Sequence, residues 1–504
     1  MPKKGHTRII AKDWWLGGIV VIAAFLRLYN LRELSEFLGD QGRTMLVLYD
    51  LVHKGIFPVV GPPLIAGQHL GPFFYYLIAP AYILWQSPVA VAVWGAMLGL
   101  CAVVVLYVLI RQLFGVWPAR LVSLLWAVSP GIVTADRVIW EPNLVPLFVL
   151  LYFLSLVNAH RSRRIAWWFA VGVTLGILIQ LHYPNAIFIG LTGLYFVVRL
   201  FDRPLRITVL FWEVCAVLLG FLVLLAPFLV YERTVGFTDL RQIFSIFAGS
   251  AATPVGRRVI VGNAVDFIFR VFSRALPFMS KPAGAILAIL WGAFVLRFRT
   301  RKNMFITLLA LGGISGMSVY RNVVFDHYLY FLTPVPFLMI ATVFSAIPKN
   351  VWRRIAIVSV VVLAGIQLAR TDVFAKGPQD MARTARAVRQ MIDLAGGKPY
   401  SFTVIQSRSF SDLHYRYYLA AFHSTPEQIT RMDYPLLFIV CDEATCPSAE
   451  NVATNYALQV MCYDPMCAQF YTTVNMHRNW VYVRTEPVSL HGVTEARIYE
   501  FQRK

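Results

Sequence analysis

Long apolar runs alternate with short polar segments over the first three-quarters of the chain. A membrane-spanning helix needs about 20 mainly apolar residues. The runs predict eleven such helices, at about 14–29, 88–110, 119–134, 144–159, 165–181, 184–199, 207–230, 283–296, 304–319, 329–347 and 352–369. The apolar stretch 72–86 contains Pro72 and Pro80 and is short, so we predict a helix that lies at the interface or enters it obliquely. The polar segments 30–71 and 232–281 are predicted to be long loops.

The pattern changes after about residue 371, where membrane-length runs end and polar residues become frequent. Helical periodicity predicts a helix over 381–394, and short apolar runs predict strands over 401–405, 436–441, 480–483 and 496–501. The sequence therefore predicts two domains: a membrane domain over 1–370 and a soluble α/β domain over 371–504.

Composition agrees with the membrane assignment. Of 504 residues, 58% are hydrophobic and only 14% are charged, against about 25% charged residues in soluble domains. Such a chain has too little polar surface for a soluble globular enzyme and too many apolar residues for a disordered protein. We therefore predict a polytopic α-helical membrane protein.

The distribution of charge predicts the orientation. The net charge is +20, which in a soluble protein would suggest nucleic-acid binding. Here, however, nineteen Lys and Arg lie in six short segments at 3–12, 111–120, 161–164, 199–206, 297–302 and 349–354. Short cytoplasmic loops of membrane proteins carry such an excess. With eleven helices and no cleavable signal peptide, the N-terminus is predicted to be cytoplasmic, the C-terminal domain extracytoplasmic and the partners membrane lipids, with no nucleic acid.

Three acids in the predicted outer loops are candidates for chemistry. Asp40 lies in GDQGR at 39–43, where the flanking glycines favour a tight, exposed turn. The following residues, 44–53, predict an amphipathic helix suited to the membrane surface. Asp136 and Glu141 lie in the short loop 135–143. An acid beside a membrane helix is often only a solvated loop charge, so the type of residue alone does not establish a site.

Several motifs, taken in order, resemble a known family. They are GDQGR at 39–43, GPP at 61–63, LGPFFYYL at 70–77, WEPN at 140–143, QLHY at 180–183 and HYLYFLTP at 327–334. Their order and spacing over about 14–347 resemble the GT-C membrane glycosyltransferases, particularly the group of the protein O-mannosyltransferases and the lipid A aminoarabinose transferase. The C-terminal domain adds little to this resemblance.

The resemblance implies transfer of a monosaccharide from a polyprenyl-phosphate carrier to an acceptor at the extracytoplasmic face, by direct displacement. Asp40 matches the acid that deprotonates or orients the acceptor, although many relatives have Asp-Glu where this chain has Asp-Gln. Asp136 and Arg137 match the acidic and basic positions of the second loop, and Glu141 is a third catalytic candidate.

A leaving phosphate needs cations and hydrogen-bond donors, and arginine can bind it with two parallel hydrogen bonds. The candidates for substrate or phosphate binding are Arg137, Arg257, Arg258, His182, Tyr183, Arg321, His327, Tyr328 and Tyr330. For most of them a structural role is the simpler interpretation: a solvated loop pair for the two adjacent arginines, and an interfacial position for the histidines and tyrosines.

No cofactor is predicted. The single carboxylate of the first-loop motif argues against a metal held in that loop, although a divalent metal near Asp40 and Asp136 is left open. The predicted partners are a polyprenyl-phosphate-linked sugar and an acceptor that is a protein, a lipid or a glycan. Two alternatives remain: a lipid or sugar transporter (flippase), and a ligase that moves a whole oligosaccharide. A transporter is expected to have polar residues along mid-membrane helices or related halves, whereas the acids of this chain lie at one rim.

Four of the six cysteines lie close together in the C-terminal domain, at Cys441, Cys446, Cys462 and Cys467. Their spacing also suits zinc, but thiols outside the cytoplasm oxidise and no histidine lies within the cluster. We therefore predict two disulfides, and the sequence leaves three pairings open.

Overall fold

A computed structural model describes the chain over residues 13–64, 67–162, 164–201, 206–252, 256–276, 280–298, 300–320, 323–348, 350–405, 409, 411–429, 431, 433–442, 445–454, 460–461, 479–490 and 493–504. Arg321, Cys462 and Cys467 lie outside these described residues, as do the first basic segment, 3–12, and part of 232–281.

The chain before residue 370 is helical. Its helices are α1 (Trp14–Leu28), α2 (Leu31–Leu34), α3 (Gly39–His53), α4 (Phe73–Leu84), α5 (Pro88–Phe114), α6 (Val116–Val128), α7 (Pro130–Arg137), α8 (Val145–Ser162), α9 (Ile165–Leu181), α10 (Ile187–Leu200), α11 (Ile207–Thr234), α12 (Thr238–Ala252), α13 (Arg257–Phe272), α14 (Lys281–Arg297), α15 (Arg301–Ser318), α16 (Pro334–Ala346) and α17 (Val351–Ala369). Short 3-10 helices, Glu141–Leu144, Tyr183–Ala186 and Asp326–Leu332, precede α8, α10 and α16.

Six helical segments of the described chain are long and apolar enough to span a membrane. The bent pair α6–α7 makes a seventh if it is counted as one span, and α1, α4 and α9 are shorter apolar helices. The polytopic helical fold is therefore confirmed, whereas the count of eleven spans stays a prediction.

The helix predicted at 119–134 is interrupted. Between α6 and α7 the axis bends by 61°, because Ser129 is extended and Pro130 starts the next helix. A residue before proline is sterically disfavoured in the helical conformation. The break allows the Ser129 hydroxyl to donate a hydrogen bond of 2.6 Å to the carbonyl of Arg274.

Both segments predicted to be long loops contain helices. In 232–281 the prediction of a loop was wrong over α12 and α13. The buried side chains of α13 include Phe267 and Val271, which are four residues apart. This spacing is helical, but charged and polar residues elsewhere in α13, such as Arg257 and Arg258, lower its mean hydropathy.

Glycines allow α9 and α11 to pack backbone against backbone. A Cβ atom at Gly172 would overlap the carbonyl of Val217, and one at Gly220 would overlap the carbonyl of Phe169. Small residues at such crossings bring membrane helices into close contact. These two helices therefore form a tightly packed pair.

The chain divides into two compact units. The larger unit comprises Met1–Tyr29, Val59–Ile78 and Val93–Phe374, and the smaller one comprises Asn30–Pro58, Ala79–Ala92 and Ala375–Lys504. Helices α2 and α3 thus share a unit with the C-terminal region.

The C-terminal region of the smaller unit is a sheet with helices. Its elements are α18 (Asp380–Ala395), β1 (Tyr400–Ile405), α19 (Leu413–Ala421), β2 (Leu436–Cys441), α20 (Ala449–Thr454), β3 (Val460–Met461), β4 (Trp480–Leu490) and β5 (Val493–Arg503). The strand order is β3-β1-β2-β5-β4. Strands β1 and β2 are parallel and the other pairs are antiparallel, so the predicted α/β class is confirmed.

Apolar side chains of the central strands form the core of this sheet, including Leu437, Ile439 and Phe501. Cys441 and Cys446 form a disulfide beside that core. The remaining two cysteines of the predicted cluster lie outside the described residues.

Candidate functional site

The acidic motif of the first loop forms the first turn of α3. Gly39 begins the helix, so the expected isolated turn around Asp40 was wrong. The N–H of Gly39 donates to the Ser409 hydroxyl over 2.8 Å. A Cβ atom at Gly42 would overlap the backbone nitrogen of His414. The glycines are needed for close packing within the smaller unit.

The Asp40 carboxylate remains accessible. Its side chain is 48% exposed and forms an ion pair of 2.9 Å with Arg43, one turn further along α3. A negative charge in the first turn is also favoured by the helix dipole. Arg43 and the start of the helix therefore place positive charge beside a solvent-accessible carboxylate, the type of group that can act as a general base.

A second carboxyl lies near Asp40. Partial burial and the negative charges of Asp380 and Asp40 raise the pKa of Glu36. Glu36 was not predicted as a site residue because it lies outside the GDQGR motif, although it is one helical spacing before Asp40.

In the larger unit, Asp136 forms a buried ion pair. The Arg27 Nε atom lies 2.8 Å from the Asp136 carboxylate, and the Arg27 side chain is fully buried. The Asp136 carboxylate packs directly against α5 at Gly99. A Cβ atom at position 99 would overlap the Asp136 side chain. Arg27 was not predicted as a site residue, because the guanidinium of a single arginine at the end of an apolar helix usually lies at the membrane–water interface.

Arg137 is also buried, and its side chain is 1% exposed. Its Nε donates to the carbonyl of Leu26 over 3.0 Å, and its Nη1 lies 3.1 Å from Asp372. Glu141 is buried in the 3-10 helix that follows. The roles predicted for these residues in catalysis and phosphate binding stay predictions.

Three predicted residues, His182, His327 and Tyr328, meet with Trp140 in a cluster of aromatic and histidine rings. The ring of His182 lies 5.5 Å from that of His327 and 5.0 Å from that of Tyr328. Trp140 contacts His327 at 4.6 Å. The structure therefore brings together motifs that are far apart in the sequence, WEPN, QLHY and HYLYFLTP, at the ends of three helical segments.

Arg274 adds a positive charge beside this cluster. Its guanidinium lies 4.1 Å from the centre of the Tyr330 ring, and its Nη1 donates to the Thr333 hydroxyl over 3.1 Å. The cation and ring are close enough for a cation–π interaction. Arg274 was not predicted as a site residue because it lies in the segment 232–281, which was predicted to be a loop. Arg270, four residues before it, was the available signal of a cationic surface.

A small cavity lies next to Arg274. Its lining includes Asp136, Asn143, Arg274, Tyr330 and Thr333. The cavity thus combines a carboxylate, an amide, a guanidinium and hydroxyl groups within one unit. These groups are suited to a polar or anionic ligand.

The other predicted residues lie elsewhere. Arg257 and Arg258 are exposed at the start of α13, at the opposite end of that helix from Arg274. Tyr183 donates a hydrogen bond to the carbonyl of His69, whose Nδ1 is 2.9 Å from the Asp239 carboxylate. Among the residues described, no group of three or more His, Cys, Asp or Glu side chains is arranged to hold a metal ion.

The comparison with known sequences gives one family. Residues 69–231 match the family described as dolichyl-phosphate-mannose-protein mannosyltransferase. No curated protein matches the chain significantly.

Solved structures show the fold. ArnT from Cupriavidus metallidurans, bound to undecaprenyl phosphate, is 15% identical, with a TM-score of 0.62, and the match covers 97% of this chain and 98% of that one. Its apo state has a TM-score of 0.63 with the same identity and coverage. The oligosaccharyltransferase of Archaeoglobus fulgidus, in complex with Zn and sulfate, is 14% identical, with a TM-score of 0.50, over 93% of this chain and 67% of that one.

These similarities and the helices described above give the chain a GT-C fold in a multi-pass membrane protein. Within that class it resembles the protein O-mannosyltransferases and ArnT.

Proposed function

We propose that this protein transfers a monosaccharide from a polyprenyl-phosphate carrier to an acceptor at the extracytoplasmic face of a membrane. The general activity, glycosyl transfer, is supported by the family match and by the GT-C fold. The observation that carries the choice of donor is the similarity, over 97% of the chain, to an ArnT with undecaprenyl phosphate bound.

In the proposed reaction Asp40 is the general base. An acceptor hydroxyl or amine attacks the anomeric carbon of the sugar, and its proton passes to the Asp40 carboxylate. The bond between that carbon and the phosphate oxygen breaks, and the polyprenyl phosphate leaves with the electron pair. The exposure of Asp40 and its ion pair with Arg43 support this role. The proposed orientation has a cytoplasmic N-terminus and an extracytoplasmic C-terminal region.

We further assign phosphate binding to Arg274. Its guanidinium is held by Thr333 and the Tyr330 ring and lines the polar cavity. A guanidinium fixed in this way loses little freedom on binding a phosphate. This assignment competes with the earlier candidates Arg257 and Arg258, which are exposed at the start of α13, whereas Arg274 follows the end of that helix.

Replacement of Arg274 with Ala should raise the KM for a polyprenyl-phosphate sugar by about 10- to 100-fold, because a charge-assisted hydrogen bond is lost. The KM of Arg274→Lys should lie between the values of the wild type and of Arg274→Ala. Steady-state transfer with purified protein measures this. Arg233→Ala, an exposed arginine at the end of α11, is the matched control and should leave KM unchanged. If Arg257→Ala raises KM and Arg274→Ala does not, the phosphate site is at the start of α13.

A ligase that moves a whole oligosaccharide is a second candidate, supported by the similarity to the Archaeoglobus fulgidus oligosaccharyltransferase. The same assay with monosaccharide and oligosaccharide donors on one carrier separates the two activities. We expect transfer from the monosaccharide donor, and transfer from the oligosaccharide donor alone would favour the ligase.

The proposed orientation has its own test. Alkaline phosphatase fused after Lys504 is expected to be active in bacterial cells, because this enzyme needs the oxidising extracytoplasmic compartment to form its disulfides. The same fusion after His160, in the last turn of α8, should be inactive. The reverse pattern would contradict the orientation.

A further inference from the structure

The segment that leads to Asp40 is attached to the C-terminal region of the smaller unit through its backbone. The Phe37 N–H donates to the Asp380 carboxylate over 3.3 Å. The Gly39 N–H donates to the Ser409 hydroxyl over 2.8 Å. Asp40 therefore follows two amide groups whose hydrogen-bond partners are side chains about 340 to 370 residues further along the chain.

Close packing limits movement of the same turn. Side-chain atoms at Gly39 would overlap the hydroxyls of Ser409 and Ser411, and a Cβ atom at Gly42 would overlap the backbone of His414. Backbone atoms cannot rotate away as a flexible side chain can. The first turn of α3 thus has little room to shift along or around its axis.

One partner of this segment, Asp380, belongs to a buried ionic network. Arg383 lies 2.8 Å from Asp380 and 2.9 Å from Asp442, and the side chains of Arg383 and Asp442 are fully buried. Burial raises the pKa of Asp442, but the His414 ring, whose Nε2 lies 3.5 Å away, and the positive charge of Arg383 hold that pKa below its ordinary value. The network therefore connects α18, the residue that follows β2, and α19 through buried polar and charged side chains.

We infer that Ser409 and Asp380 are positioning residues, which orient the Asp40 carboxylate by fixing the backbone of the turn that carries it. The inference rests on the proposed function, in which Asp40 is the base. It gives the C-terminal region a direct part in catalysis. Orientation of a catalytic group contributes strongly to rate, and a displacement of about 1 Å can cost roughly 100-fold.

Ser409→Ala removes the acceptor of the Gly39 N–H with little change in volume. We expect kcat to fall about 10-fold while the KM for the donor stays unchanged, since Asp40 keeps its charge but loses its fixed direction. Ser409→Thr, which keeps the hydroxyl, should restore at least half of kcat. Ser401→Ala is the matched control, because Ser401 is buried in the same unit and donates 2.8 Å to the Glu427 carbonyl without contacting α3.

Hydrogen–deuterium exchange gives a measurement that does not depend on activity. In Ser409→Ala the amides of residues 37–42 should exchange about fivefold faster, as expected for the loss of one hydrogen bond, and β1 and β2 should exchange as in the wild type. In Ser401→Ala the amides of residues 37–42 should keep their wild-type rates. Unchanged exchange of these amides and unchanged kcat in Ser409→Ala would overturn the inference.

Gly42→Ala tests the same idea without removing a hydroxyl. The added methyl group should displace the first turn of α3 and lower kcat at least 10-fold. Gly190→Ala is the control and should leave kcat unchanged, because no atom lies within 4 Å of the new methyl group. A normal kcat in a folded Gly42→Ala variant would contradict the inference. If Asp40→Asn itself remains active, the proposed function fails, whatever the exchange rates at 37–42 show.

Discussion

Asp40→Asn should reduce glycosyl transfer by about 10²- to 10⁴-fold, the typical contribution of a positioned general base. Asparagine keeps the shape of the side chain but does not accept the proton of the acceptor. The loss should appear in kcat. The KM for the donor should change little, because Asp40 is proposed to act on the acceptor. Transfer from a radiolabelled polyprenyl-phosphate sugar by purified protein measures this effect.

Asp50→Asn provides the matched control. Asp50 lies on the same helix and forms an exposed ion pair of 2.7 Å with Lys54, a kind of pair that contributes little to stability. Its replacement should leave kcat within twofold of the wild type. Transfer by Asp40→Asn at the rate of Asp50→Asn would remove Asp40 from the mechanism and direct attention to Glu36.

Arg27→Ala is expected to have the largest effect on stability. Arg27 pairs with Asp136 at 2.8 Å and donates to the carbonyl of Ala127 over 2.9 Å. Removal of one partner of a buried ion pair leaves the other charge without compensation, which costs about 3–5 kcal/mol. The apparent melting temperature in detergent should fall, on the order of 10 °C, and the yield of folded protein should fall with it.

The double variant Arg27→Met with Asp136→Leu tests whether the uncompensated buried charge of Asp136 causes the loss of stability. Replacing both charges with apolar side chains of similar size is often neutral or stabilising, so much of the lost melting temperature should return. Arg297→Ala, an exposed arginine in the last turn of α14, should not change it. A double variant as unstable as Arg27→Ala would show that the ion pair is not the cause.

The membrane-spanning helices were predictable because their free energy depends mainly on apolar length, which hydropathy along the sequence measures directly. The strands were predictable for a similar reason, since β1 and β2 are short runs buried at every position. Helices α12 and α13 were not predicted, because their polar residues lowered the hydropathy on which the analysis relied.

The functional residues were predictable where a motif carried them and not where only three-dimensional packing did. His182 and His327 were chosen from separate motifs, and the structure places their rings in contact. Gly39 and Gly42 were assigned to an exposed turn, because nothing local in the sequence indicates that Ser409 and His414 would lie against them. Arg27 and Arg274 belong to no motif, so only the folded chain identifies their partners.

The backbone contact between α9 and α11 bears on the evolutionary history of the fold. At Gly172 and Gly220 any side chain would collide with the opposite helix. A protein that keeps this helix crossing is therefore expected to keep glycine at both positions. The chain is 15% identical to ArnT, a level at which pairwise similarity hardly separates ancestry from chance. In a search for remote homologues, glycine at these two positions is therefore expected to persist longer than the apolar residues around it.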